Sequence, residues 1–428
     1  RRLQVLRGTA MEAEIENHPT IAPLKNELMA QIMSKTFEYR GETYPFSTFQ
    51  THLMTNPDRD LRKALVEMAG KYAREVEPAF RKLLKARNQL AQQKGYANYF
   101  LYCFELLKGL DFQQYHQQCT RMMEQTEPVF REWEKRFCEK FGWDQTGFSD
   151  ILYASLHCLE RETSLFPSEK TIDALRFTCG HFGYDLDRLP IQVEIANLPY
   201  GGMMNLISTD EIRIALKKRD GHSGYAVALH EMGHALYEYF SFGQHAELVR
   251  FKNILGSEAM AEIFMTIASQ KEWLVDCMGA DASSLDQLLE SEHLMSLMLT
   301  KYYYYTSLVE KAIYEDPDGD FQHTADSLFE QVFGLKGQSM NPAMDILFIM
   351  YPVYVQDYIY ADGVRDMIRH AFGVKGLYGH QDVFEAIRKV FMEPSESKTW
   401  QEKVEDLCGE PFTFRYFEQF LANKGVLV

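Results

Sequence analysis

Two histidines four residues apart with a glutamate beside the first, His230-Glu231-Met-Gly-His234, are the residues of this chain best suited to chemistry. On a helix, positions i and i+4 leave the same face one turn apart, so both imidazoles can meet a single ion. Glu231 can then reach an open coordination position, where a carboxylate takes a proton from bound water. A catalytic zinc site usually has three protein ligands, so a further carboxylate or histidine should follow within one helical hairpin. Glu258 and Glu262 stand four apart in the otherwise apolar stretch 255–264. Buried carboxylates rarely lack partners, which marks this pair as part of the same site. Glu258 is assigned as the third ligand. Glu262, one turn on, either accepts the second ring N–H of a ligand histidine or pairs with a nearby Lys or Arg.

The elements that must position these residues follow from periodicity. Val227, Ala228, Leu229, Ala235 and Leu236 surround the histidines without a proline, as a buried helix requires. Ahead of them, 191–196 and 211–216 alternate with period two, and 204–208 is strand-like. These segments predict a small antiparallel sheet beside the metal helix, with an edge strand able to hold an extended peptide by main-chain pairing. Residues 58–91 carry Leu61, Leu65, Met68 and Tyr72 at helical spacing and read as a long helix or helical hairpin. Residues 100–141 continue as helices punctuated at Gly109 and Pro128. Tyr302–Tyr305 suit core packing in a helix over 285–314. Tyr351, Tyr354 and Tyr358 fall at i, i+3 and i+7, so a helix would put three phenols on one face, where an O–H can stabilise an oxyanion opposite a metal. Pro167 and Ser168 divide the chain into an N-terminal helical lobe, 1–165, and a catalytic lobe, 166–428.

Composition narrows the partners. At 428 residues, with 46% hydrophobic and 13% aromatic residues, the chain can fill one large core or two lobes. Its 61 acidic against 45 basic residues give a net charge of −16, which disfavours nucleic acid and anionic membrane. The seven cysteines (Cys103, Cys119, Cys138, Cys158, Cys179, Cys277, Cys408) are scattered without a CxxC pair, as in a reducing cytosol. No run of about 18 apolar residues appears, so a soluble, cytoplasmic protein is expected.

The HExxH helix, the glutamate 24 residues after its second histidine and the late tyrosine segment resemble the thimet oligopeptidase and oligoendopeptidase F family, and the related angiotensin-converting enzyme and thermostable carboxypeptidase families. Arg87-Asn88 followed by Gly95-Tyr96-Ala97-Asn98-Tyr99 is similar to a segment upstream of the metal helix in those enzymes. The resemblance implies a mainly α fold, with two helical lobes around a deep substrate channel and the small sheet beside the metal-binding helix. It implies one zinc per chain on His230, His234 and Glu258, with Glu231 as general base and then acid, and Glu262 in the shell behind the ligands. Tyr351 and Tyr354 match its Tyr-x-x-Tyr pair that contacts substrate or the tetrahedral intermediate, with Tyr358 as the alternative register. That family normally has a histidine shortly before these tyrosines, and none lies between His323 and His370 here. The activity implied is hydrolysis of short peptides as an oligoendopeptidase. A carboxypeptidase or peptidyl-dipeptidase would need a cation such as Lys217, Lys218 or Lys301 for the substrate C-terminus, and a peptide-binding protein would need no general base.

Overall fold

The computed structural model describes residues 1–159, 164–198, 200–281 and 285–423. Helices dominate. The elements needed below are the hairpin strands β1 (Thr36–Tyr39) and β2 (Glu42–Pro45), helices α1 (Arg59–Gln93) and α2 (Phe112–Phe141), strands β3 (Ile191–Ala196), β4 (Gly202–Ser208) and β5 (Glu211–Lys217), and helices α3 (His222–Phe240), α4 (Ile254–Met265), α5 (Ile346–Met350) and α6 (Gln356–Phe372). The chain divides into two compact units. One comprises Arg1–Arg7, Glu160–His293 and Asp357–Val428; the other comprises Gly8–Leu159 and Leu294–Gln356. Among the described residues no helix is long and apolar enough to cross a membrane.

In the second of these units, β1 and β2 pair antiparallel. Asp58 starts α1 by accepting from the Asp60 and Leu61 backbone N–H groups at 2.9 and 3.1 Å. The helix then runs 35 residues without interruption, burying Leu61, Leu65, Tyr72 and Phe80 on one side. Gly109 breaks the next segment as expected, at φ +66°. Pro128, expected to punctuate as well, instead sits inside a continuous 30-residue α2. Burial of Met122, Met123, Thr126, Val129, Phe130 and Trp133 on both sides of it holds the helix together, against a proline cost of about 3 kcal/mol.

The Arg87-Asn88 segment is a buried knot. Each of the five N–H groups of Arg87 has an acceptor: Glu16 Oε1 and Oε2 at 2.9 and 2.8 Å, the Tyr314 hydroxyl at 3.1 Å, and the Phe348 and Ile349 carbonyls at 2.8 and 2.7 Å. Asn88 donates to the Tyr314 carbonyl at 2.8 Å and accepts from the Tyr99 N–H at 2.9 Å. The Tyr99 hydroxyl closes the circuit on Glu16 at 2.8 Å. The two carbonyls gripped by Arg87 belong to α5, immediately before the tyrosine segment.

That segment does not form the expected helix. α5 ends at Met350, Pro352 follows, and Val353 adopts φ +56°, a left-handed conformation costly for a β-branched residue. The Val353 N–H donates to Glu310 Oε1 at 2.8 Å. Helix resumes only at Gln356, so Tyr351, Tyr354 and Tyr358 do not share one helical face. Proline and the buried Glu310 acceptor outweigh the i, i+3, i+7 pattern.

In the other unit, the three-stranded sheet has the order β3-β5-β4. β4 pairs antiparallel with β5, Gly202 opposite Leu216, but β3 runs parallel to β5, Ile191 opposite Ile212. The sheet is therefore mixed instead of antiparallel. β5 has the most buried side chains of the three, Ile212, Ile214 and Leu216, and so takes the centre, leaving β4 and β3 as edges. α3 packs on β4 and β5.

Candidate metal centre

α3 carries His230, Glu231 and His234, and α4 carries Glu258 and Glu262. What brings the two helices close enough is Gly233. A Cβ there would lie 2.7 Å from the Met260 carbonyl oxygen, 2.8 Å from Ala261 Cα and 3.0 Å from Phe264 Cβ. Glycine inside a helix costs roughly 0.5–1 kcal/mol relative to alanine, and here it allows backbone contact.

The contact places Glu258 between the histidines. Glu258 Oε2 is 3.4 Å from His230 Nε2 and 3.7 Å from His234 Nε2. Tetrahedral ligands at zinc bond lengths of about 2.1 Å are separated by roughly 3.4 Å, so these spacings fit one ion. His230, His234 and Glu258 offer ligand atoms that all lie within 4.8 Å of one another, a two-histidine, one-carboxylate group able to hold a metal. The second nitrogen of each ring is engaged as well. His234 Nδ1 meets the Ser257 hydroxyl at 2.8 Å, and His230 Nδ1 faces Glu262 Oε1 at 3.4 Å. Partners on Nδ1 orient each ring so that Nε2 points at the shared position.

Electrostatics fit a cation. Burial pushes the His234 pKa down to about 4, keeping the ring neutral and its Nε2 lone pair available. Burial also opposes charge on His230, but Glu258 and Glu262 on either side override it and raise the pKa, so a positive charge is wanted at this point. Burial likewise raises Glu231 to about 6, countered by the His230 charge and by a hydrogen bond from the Met204 backbone N–H. Glu231, Glu258 and Glu262 put three buried carboxylates around the two histidines, with the Arg365 guanidinium 3.8 Å from Glu262, an excess of negative charge. A divalent ion reduces that imbalance.

Glu231 is fixed from β4. The Met204 N–H reaches its carboxylate, and Gly202 lets the strand pass beside it. A Cβ on Gly202 would come within 2.8 Å of Val227 Cγ1, 3.0 Å of Glu231 Cγ and 3.2 Å of Glu231 Oε1.

Glu262 lies between the two partners considered for it from sequence. One oxygen faces His230, and the other lies 3.8 Å from Arg365 Nη1. Sequence reasoning missed Ser257, Gly202, Gly233 and Arg365. A glycine inside an apolar helix signalled Gly233, and Asp362, Arg365, Asp366 and Arg369 alternate in sign at i, i+3, i+4 and i+7, a pattern visible in the sequence. Tyr351 is 60% exposed, and its ring centroid lies 6.1 Å from that of the half-buried Tyr354. Tyr358 is half-buried in α6. Lys301 is fully buried, with Glu127 at 3.4 Å and the Phe130 ring beside it, so packing already occupies this cation.

No protein-family model matches the sequence, and no curated protein does. Solved structures do. A Bacillus anthracis str. Ames protein designated oligoendopeptidase F aligns with a TM-score of 0.66 over 99% of this chain and 82% of its own, at 15% identity. The fold is that of the oligoendopeptidase F structures. A second structure so designated gives a TM-score of 0.68 over 94% of this chain and 73% of its own, again at 15% identity. Pz peptidase A with an inhibitor gives 0.68 over 98% and 80%, at 15% identity. At such identity the likeness speaks for the fold, and the His230, His234, Glu258 group agrees with the HExxH-plus-glutamate arrangement expected from sequence.

Proposed function

We propose that this protein is a zinc-dependent oligoendopeptidase that hydrolyses short peptides. The observation that carries the reading is the convergence of His230 Nε2, His234 Nε2 and Glu258 Oε2 on one position, with Glu231 next to His230 on the same helix. His230, His234 and Glu258 hold the ion. Zinc bound there supplies Lewis acidity for the scissile carbonyl and makes water a nucleophile near neutral pH.

The chain's own residues do the rest. β4, at the sheet edge and hydrogen-bonded to Glu231 through Met204, binds an extended peptide by main-chain pairing and sets the scissile bond against the general base. Glu231 takes a proton from the attacking water and returns it to the leaving amine. Burial of its carboxylate raises its proton affinity above that of an exposed glutamate. A phenolic hydrogen bond to the carbonyl oxygen as charge develops on it is the role that the resemblance gives to Tyr351 and Tyr354, or to Tyr358.

The test is zinc content together with cleavage of a quenched-peptide library, using free and C-terminally amidated peptides. About one zinc per chain and internal cleavage that a chelator abolishes and amidation leaves intact are expected. In Glu231→Gln, zinc stays while turnover drops by about 100-fold or more. Release of C-terminal residues that amidation blocks would make the protein a carboxypeptidase or peptidyl-dipeptidase. Zinc with no cleavage would make it a peptide-binding protein.

A further inference from the structure

Behind His230 the structure holds a chain of charges that the proposed reaction does not use. Glu262 faces His230 Nδ1, and its other oxygen faces Arg365. Arg365 is in turn fixed on α6: its Nε and Nη2 grip Asp366 at 3.0 and 2.9 Å, and Nη1 pairs with Asp362. Asp366 also accepts from Arg369 Nη1 at 2.7 Å. The Phe417 and Phe420 rings lie 5.4 and 5.6 Å from the guanidinium carbon. Arg365 and Arg369 are nearly inaccessible and Asp366 wholly so. A guanidinium held at three of its edges has almost no rotational freedom, so it presents a fixed cation to Glu262.

A mere counter-charge would not need this construction. Placed 3.8 Å from Glu262, a positive group lowers the affinity of the neighbouring site for a metal cation by through-space repulsion. Its presence beside a cluster suited to a cation is explained if orientation outweighs that repulsion. Without Arg365 the outer oxygen of Glu262 loses the fixed cation it faces, and the carboxylate can turn, taking the Nδ1 acceptor away from His230.

We infer that Arg365 is a positioning residue for the metal centre, holding Glu262 against His230 Nδ1 so that Nε2 stays aimed at the ion. The inference rests on the zinc reading above, and its test separates the two. Zinc dissociation constants are measured by competition with a chromogenic chelator for wild type, Arg365→Lys, Arg365→Met, Glu262→Ala and the Glu262→Ala/Arg365→Met double variant. Wild type that binds no zinc removes the zinc reading itself. Given zinc in the wild type, both Arg365 variants bind it about 10- to 100-fold more weakly. The double variant is no weaker than Glu262→Ala alone, because Arg365 acts through Glu262.

Charge alone gives the opposite pattern, with Arg365→Met tighter than wild type and Arg365→Lys unchanged. That pattern overturns the inference, as does a double variant whose losses multiply. Arg365→Lys keeps the cation between Asp362 and Asp366, so it carries the test if the methionine variant does not fold. Its loss of affinity supports the positioning role, and wild-type affinity refutes it.

Discussion

Glu310 provides the most quantitative test of how this chain is built. It is fully buried, and burial pushes its carboxyl up to about 8 from an ordinary 4.5; the hydrogen bond from the Val353 N–H, Gln356 and the Arg87 charge oppose the rise, and Asp345 adds to it. Below about pH 4.5 the group is protonated whether the chain is folded or not. As pH rises further the unfolded chain ionises first, so stability falls until the folded group itself ionises near pH 8. A rise of about 3.5 units at about 1.36 kcal/mol each amounts to roughly 5 kcal/mol in all, of which about 4 kcal/mol falls between about pH 5 and about pH 9. Glu310→Gln keeps an acceptor oxygen for Val353 but cannot ionise. Urea unfolding of both proteins should therefore show the variant gaining about 4 kcal/mol on wild type between those two pH values. A gap that stays constant would mean Glu310 is not held neutral by its surroundings, and the account of the Val353 turn would fail with it.

The remaining expectations concern the metal centre. Glu258→Ala should weaken zinc binding by more than about 100-fold, and Glu262→Ala by roughly 10- to 100-fold, read by chelator competition; the reverse order would exchange their roles. Gly202→Ala drives a methyl into Val227 and Glu231, so turnover should fall while zinc content is unchanged; unaltered kcat would show that β4 does not set the general base. Gly233→Ala must push α4 away from α3 by way of the Met260 carbonyl, costing about 1–3 kcal/mol in thermal unfolding and weakening zinc binding at the same time. Loss of stability with unchanged zinc affinity would separate the helix contact from the assembly of the site.

The sequence by itself determined the local part of this protein. His230 and His234 share a face because a helix repeats every 3.6 residues, and the apolar residues around them make that helix buried. Glu258 and Glu262 announce themselves as acids in an apolar stretch, since such groups need partners. Strands 191–196 and 211–216 follow from alternation in the same way. What tertiary structure alone decided are the relations between segments distant along the chain. Alternation marks a strand but carries no direction, so the parallel pairing of β3 with β5 was hidden. Tyr351, Tyr354 and Tyr358 have helical spacing, yet a proline and an N–H held by Glu310, 43 residues away, break the helix at Val353. The knot at Arg87 and the link from Arg365 to Glu262 are likewise pairings across long loops of chain, 262 residues from Arg87 to Ile349. Periodicity reports which side of an element is buried. Only packing chooses what it is buried against.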